Sequence, residues 1–213
     1  MQSNKFFNVS YSFGELLINF LKLQFFWFFF CLRGFLLLGI FPACATVIKS
    51  FFYFFEHREF PVYFYQWFLA EYRQNFKQTN QLGFIQLFIC GLLWFDLRIS
   101  ERFIQNNFIH FGLILLFVLT LLTAIYLFPT FLRYNLSFLQ YFKQAFFLVI
   151  SSLVESAAII LGVFVAVVIA TFFPVLIIAA SIPLILFPLS WFSFQAMQKI
   201  ERNNLVNTQS KEK

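Results

Sequence analysis

The chain has 213 residues, of which 61% are hydrophobic and 11% charged, with a mean hydropathy of +0.80 and a formal net charge of +6. A soluble domain carries roughly 25% charged residues, so the composition excludes a water-covered fold and points to an all-α, polytopic transmembrane helix bundle. No nucleic-acid partner is expected; the bilayer itself is.

Phenylalanine contributes 38 residues, which reads as tolerance of any large apolar side chain facing lipid. Cys31, Cys44 and Cys90 lie in or beside apolar runs without a CxxC spacing, so they read as small buried hydrophobes. His57 and His110 stand alone, and no metal or cofactor is expected.

Lys5 precedes a long apolar run that ends near Ala43-Cys44-Ala45, a superficial match to a signal peptide. The run contains Lys22 and Arg33, whereas a signal core is ~7–15 uncharged residues. It is therefore read as a retained first span, over residues 23–41, closed by Pro42. Residues 43–58 read as an interfacial helix stopped before Pro61. Residues 63–80 form a second interfacial helix, with Phe64, Trp67, Phe68, Tyr72 and Phe76 on one face and Glu71, Gln74, Lys77 and Gln78 elsewhere. That pattern suits a helix lying on the membrane or one packed against the ends of the spans.

The second span covers residues 82–95 and the third 108–128, ending at Pro129. From Ser156 to Gln198 no residue is charged, a stretch of about 64 Å at ~1.5 Å per residue. It holds two crossings, predicted at 145–173 and 175–197 with the turn at Pro174 and kinks at Pro183 and Pro188. Residues 199–213 form a polar tail. The whole chain, 1–213, reads as one integral membrane domain of about five spans.

Lys and Arg set the orientation. Lys49, Arg58, Arg73, Lys77, Arg133, Lys143, Lys199, Arg202, Lys211 and Lys213 fall on one side, against Lys5, Arg98 and Arg102 on the other. This predicts a multi-pass cell-membrane protein with its N-terminus outside and its C-terminus cytoplasmic.

One pattern occurs twice. Phe41-Pro42 is followed by Phe76-Lys77-Gln78, and Phe128-Pro129 by Phe142-Lys143-Gln144. This suggests two helical-hairpin units with Arg73, Lys77 and Lys143 as membrane-interface anchors, each worth about 1 kcal/mol toward anionic lipid.

Two charges fall at membrane depth, Arg33 in the first span and Glu155 in the fourth. An ionised group there is usually paired or set in a polar cavity. Ser151, Glu155, Ala158 and Gly162 share a helix face whose small residues admit a neighbour. An intramembrane ion pair between Arg33 and Glu155 is the expectation; the alternatives are Glu155 at the interface and a snorkelling Arg33.

The stretch Gly39-Ile40-Phe41-Pro42-Ala43-Cys44-Ala45-Thr46, then Phe60-Pro61, Trp67, Asn75-Phe76-Lys77-Gln78-Thr79-Asn80-Gln81-Leu82-Gly83 and Gly91-Leu92-Leu93-Trp94-Phe95-Asp96 resembles the YesL-like family of bacterial integral membrane proteins, a domain of unknown function. Phe128-Pro129 and Lys143-Gln144-Ala145 fit as well. Arg33 and Glu155 are not part of that family's usual pattern. The resemblance implies a cytoplasmic-membrane protein, often encoded beside carbohydrate ABC importers and polysaccharide-utilisation enzymes. It supplies no catalytic residues.

Three functions compete. The first is an accessory or assembly component of a carbohydrate ABC import system, contacting the permease or ATPase subunits. No Walker A motif is present, so the chain is not read as the ATPase. The second is an independent small-solute transporter or channel, for which only Arg33, Glu155 and a few Ser and Thr could line a path. The third is a membrane enzyme, which needs paired carboxylates, a nucleophile with its base, or metal ligands. Asp96, Glu101 and His110 lie near one another only as neighbours of one turn, and the chain is expected not to be an enzyme.

Overall fold

A computed structural model describes residues 2–104 and 107–211, and side chains over 14–102 and 107–203. Every described element is helical: α1 (Gln2–Arg33), α2 (Leu37–His57), α3 (Phe64–Ile99) with a π-helical turn at Ser100–Ile104, α4 (Asn107–Arg133), α5 (Phe138–Ser151), α6 (Leu153–Phe172) and α7 (Pro174–Lys211). Among the described residues, 6 helices are long and apolar enough to cross a membrane, all but α5. The chain is a polytopic helical membrane protein.

The first expected span is two helices rather than one. Phe35 and Leu36 have φ of 56° and 59°, and such left-handed residues end a helix. The chain reverses over Gly34-Phe35-Leu36, and a Cβ on Gly39 would overlap the backbone of Cys31. The tip is apolar, with Phe35 88% exposed. Pro42 lies inside α2 and does not stop it; it removes one backbone bond and the helix continues.

Residues 43–58, expected at the interface, belong to the most buried helix. Ala43, Ala45, Val47, Ile48 and Phe51 of α2 are buried, and α1, α3 and α7 all pack against it. Phe20 of α1 meets Phe51 at 5.6 Å, and the Trp27 indole donates to Cys44 Sγ at 3.2 Å.

The interfacial helix 63–80 and the span 82–95 are one helix, α3, because nothing at Gln81-Leu82-Gly83 breaks it. Gly83 instead gives room to the Phe41 ring. The aromatic face of its first half packs on α1, with Phe68 against Phe30 at 4.9 Å and Tyr72 donating to Phe30 O at 3.0 Å. Of the two readings of that amphipathic pattern, packing against other helices is the one seen.

The span expected over 145–173 breaks at Ser152 (φ −129°, ψ 52°) into α5 and α6. A capping box, Ser137 with Gln140, starts α5, which runs back along α4 through Phe131 and Tyr141, 5.3 Å apart. The turn at Phe173-Pro174 falls where the sequence placed it. Within α7 the helix is broken at Ala180. Pro183 explains this, since a proline ring crowds the carbonyl four residues back. Gln24 of α1 bridges the break, with Oε1 accepting from Ile182 N–H at 3.1 Å and Nε2 donating to Ser181 Oγ at 3.3 Å.

Helix directions follow from these pairs. Gln24 lies beside Ser181 and Phe20 beside Phe187, so α1 runs antiparallel to α7. The described start of α1 and the end of α7 therefore lie at one end of the bundle, whereas the five-span count put them on opposite faces. The additional helix created by the 34–36 turn changes the parity.

Candidate functional site

The charged side chains brought together by the fold gather at the end of the bundle where α2 and α4 finish and α7 emerges. Arg133, the last residue of α4, reaches both neighbours. Its Nε and Nη2 donate to Glu201 of α7 at 3.1 and 2.8 Å, and Nη1 donates to Glu56 of α2 at 2.7 Å. A planar guanidinium satisfies two carboxylates in this way and a lysine cannot. The guanidinium also lies over the Phe194 ring, 5.1 Å from its centroid. Burial first, and then Glu201, pushes the Tyr134 phenol above its ordinary range.

Beside this cluster is a cleft of about 300 Å³ between α2, α3 and α4, lined by Lys49, Tyr53, Glu56, Trp67, Glu71 and Arg133 among others. Lys49 Nζ lies 3.4 Å from the carbonyl of Leu132, one of those a helix end leaves open. Glu71 accepts from Asn75 at 3.1 Å. The cleft thus presents two cations, two carboxylates and three aromatic rings, those of Phe52, Tyr53 and Trp67. It has donors, acceptors and flat apolar faces for a polar partner. Arg133 and Glu56 hold each other, Lys49 holds a backbone carbonyl and Glu71 holds the Asn75 amide.

The expected pair of Arg33 and Glu155 is not formed. Glu155, in the first turn of α6, is bonded to Lys199 of α7 at 2.8 Å, with side-chain exposures of 15% and 61%. Arg33 ends α1 beside the 34–36 turn, is exposed, and makes no ion pair with a described residue. The physical reason is the break after Arg33, which puts it at a helix end away from the α7 terminus that holds Glu155. Arg73, Lys77 and Lys143 are all exposed. The residues that sequence reasoning missed are Glu56 and Glu201. Arg133 and Glu201 are 68 positions apart, and only the helix topology brings them together.

A family model described as a protein of unknown function, DUF624, matches residues 20–97. That segment covers α2, most of α3 and the described part of α1 that packs on them. No curated protein and no solved structure matches the chain.

Proposed function

We propose that this chain is a bacterial membrane protein of the YesL type, acting as an accessory or assembly component of a carbohydrate ABC import system and catalysing no reaction of its own. The observation behind this reading is the open polar cleft of Lys49, Glu56, Glu71 and Arg133 at one end of an otherwise aromatic-packed bundle. Such a cleft suits a charged loop of a permease or ATPase subunit. The end carrying Arg58, Arg133, Lys199 and Arg202 faces the cytoplasm on the positive-inside rule, and the start of α1 lies on the same side. Tagged protein extracted in mild detergent should retain permease or ATPase subunits, and Lys49→Glu with Glu71→Lys should release them. A chain that purifies alone while the importer complex stays intact refutes the proposal.

An independent small-solute transporter is the second reading. The break in α7 at Ala180, bridged by Gln24, favours it, because interrupted helices recur at transporter binding sites. Solute uptake by proteoliposomes that Gln24→Leu abolishes would decide for this reading.

A further inference from the structure

The exposed surface of α3 changes character along its length. Arg73, Gln74, Lys77, Gln78 and Gln81 are exposed on its first half, and Phe84, Ile85, Leu87 and Phe88 on its second. A helix of 36 residues is ~54 Å long, nearly twice the ~30 Å of hydrocarbon. Only the second half suits lipid on its outer face, and the change of surface falls at Lys77–Gln81.

An open groove of about 420 Å³ sits at that level between α3 and the start of α2. Leu38, Phe76, Phe84 and Ile85 form its apolar walls, and Lys77, Asn80 and Gln81 border it, so that its surface is almost wholly apolar; no acidic side chain lines it. Arg73 stands one turn before Lys77, and neither cation makes an ion pair with a described residue. Asn80 is 7% exposed. Its Nδ2 donates to Phe76 O at 2.8 Å, while its buried Oδ1 has no donor.

We infer that this groove is a binding site for one anionic phospholipid. The phosphate lies between Lys77 and Arg73, whose charges it complements. One acyl chain covers Leu38, Phe84 and Ile85. The site distinguishes the two Phe-Lys-Gln copies, because Lys143 does not line this groove.

The test is native mass spectrometry of the full chain, purified with phosphatidylglycerol and phosphatidylcholine of matched acyl chains. A cation near an anionic surface is worth about 1 kcal/mol, or roughly fivefold. Arg73→Gln with Lys77→Gln, both exposed and safe for folding, should therefore lower phosphatidylglycerol retention roughly thirtyfold. Lys143→Gln should leave it unchanged. Leu38→Trp, which fills the groove without altering charge, should also remove it, and Ile85→Trp serves if that variant does not fold. Inorganic phosphate should not displace the lipid. Retention that survives the double variant or the groove-filling one overturns the site. So does an equal loss with Lys143→Gln, which indicates general surface charge, or displacement by phosphate, which indicates an ion site.

Discussion

Arg133→Gln is the most informative single perturbation, because one side chain ties α2, α4 and α7 together. It removes bonds of 3.1, 2.8 and 2.7 Å. Arg133, Glu56 and Glu201 have side-chain exposures of 23%, 45% and 35%. Fully buried bonds to charged groups contribute about 1.5–3 kcal/mol each, while exposed pairs contribute ~0.2–1 kcal/mol. The forked contact to Glu201 therefore stabilises by about 1–1.5 kcal/mol and the single, more exposed contact to Glu56 by about 0.5 kcal/mol. The total loss should be about 1.5–2 kcal/mol, and Arg133→Lys should lose about half of it, because the charge stays and the fork goes. Reversible unfolding in mixed detergent micelles measures these losses, and double-mutant cycles with Glu201→Gln and Glu56→Gln apportion them. The coupling to Glu201 should be the larger at low salt, and salt should weaken the coupling to Glu56 more. A coupling between Arg133 and Glu201 below about 0.3 kcal/mol would mean that the contact contributes nothing.

Four further outcomes are expected. Gly39→Ala should sharply reduce folded yield, since its Cβ meets the Cys31 backbone, whereas Gly91→Ala, with open space around it, should be neutral or slightly stabilising. Tyr126→Phe should cost about 0.6 kcal/mol in detergent unfolding, because it removes the buried 3.0 Å bond to Ser156; no change would show that bond to be idle. Gln24→Leu leaves the Ile182 N–H at the α7 break without its acceptor, at a cost of about 1–3 kcal/mol, and should speed amide exchange near Ile182. Single cysteines at Glu15 and Arg202, in a background with the native cysteines replaced, should be labelled from the same side of the membrane; labelling from opposite sides contradicts the antiparallel course of α1 and α7.

The class of fold was legible because charge scarcity and apolar run length are properties of composition. The α6–α7 turn was legible because Pro174 interrupts a stretch too long for one crossing. Other boundaries were not, for specific reasons. Phe35 and Leu36 adopt left-handed backbone with no residue marking it except Gly34 before them. Pro42, the obvious breaker, stands inside a helix that continues through it. Gly83 reads as a flexible joint and is in fact a contact for Phe41. The amphipathic face of 64–76 is the same whether lipid or protein covers it, and α1 supplies the cover through Phe26 and Phe30. Residues of the charged end were visible as charges, but their partners come from helices far apart in sequence.

The turn at 34–36 accounts for most of these departures at once. It divides the first apolar run into two antiparallel helices, so α2 gains neighbours on several sides and is enclosed instead of lying at an interface. The same division leaves Arg33 at a helix end, far from α6. Glu155 then takes the lysine that α7 brings past it, and Arg33, the one cation the sequence placed at membrane depth, is exposed. Reversal of α1 also brings its described start to the end where Arg133 joins α2, α4 and α7. A turn of three residues without a proline thus decides which charges can meet, and hydropathy, which averages over windows much longer than three residues, cannot register it.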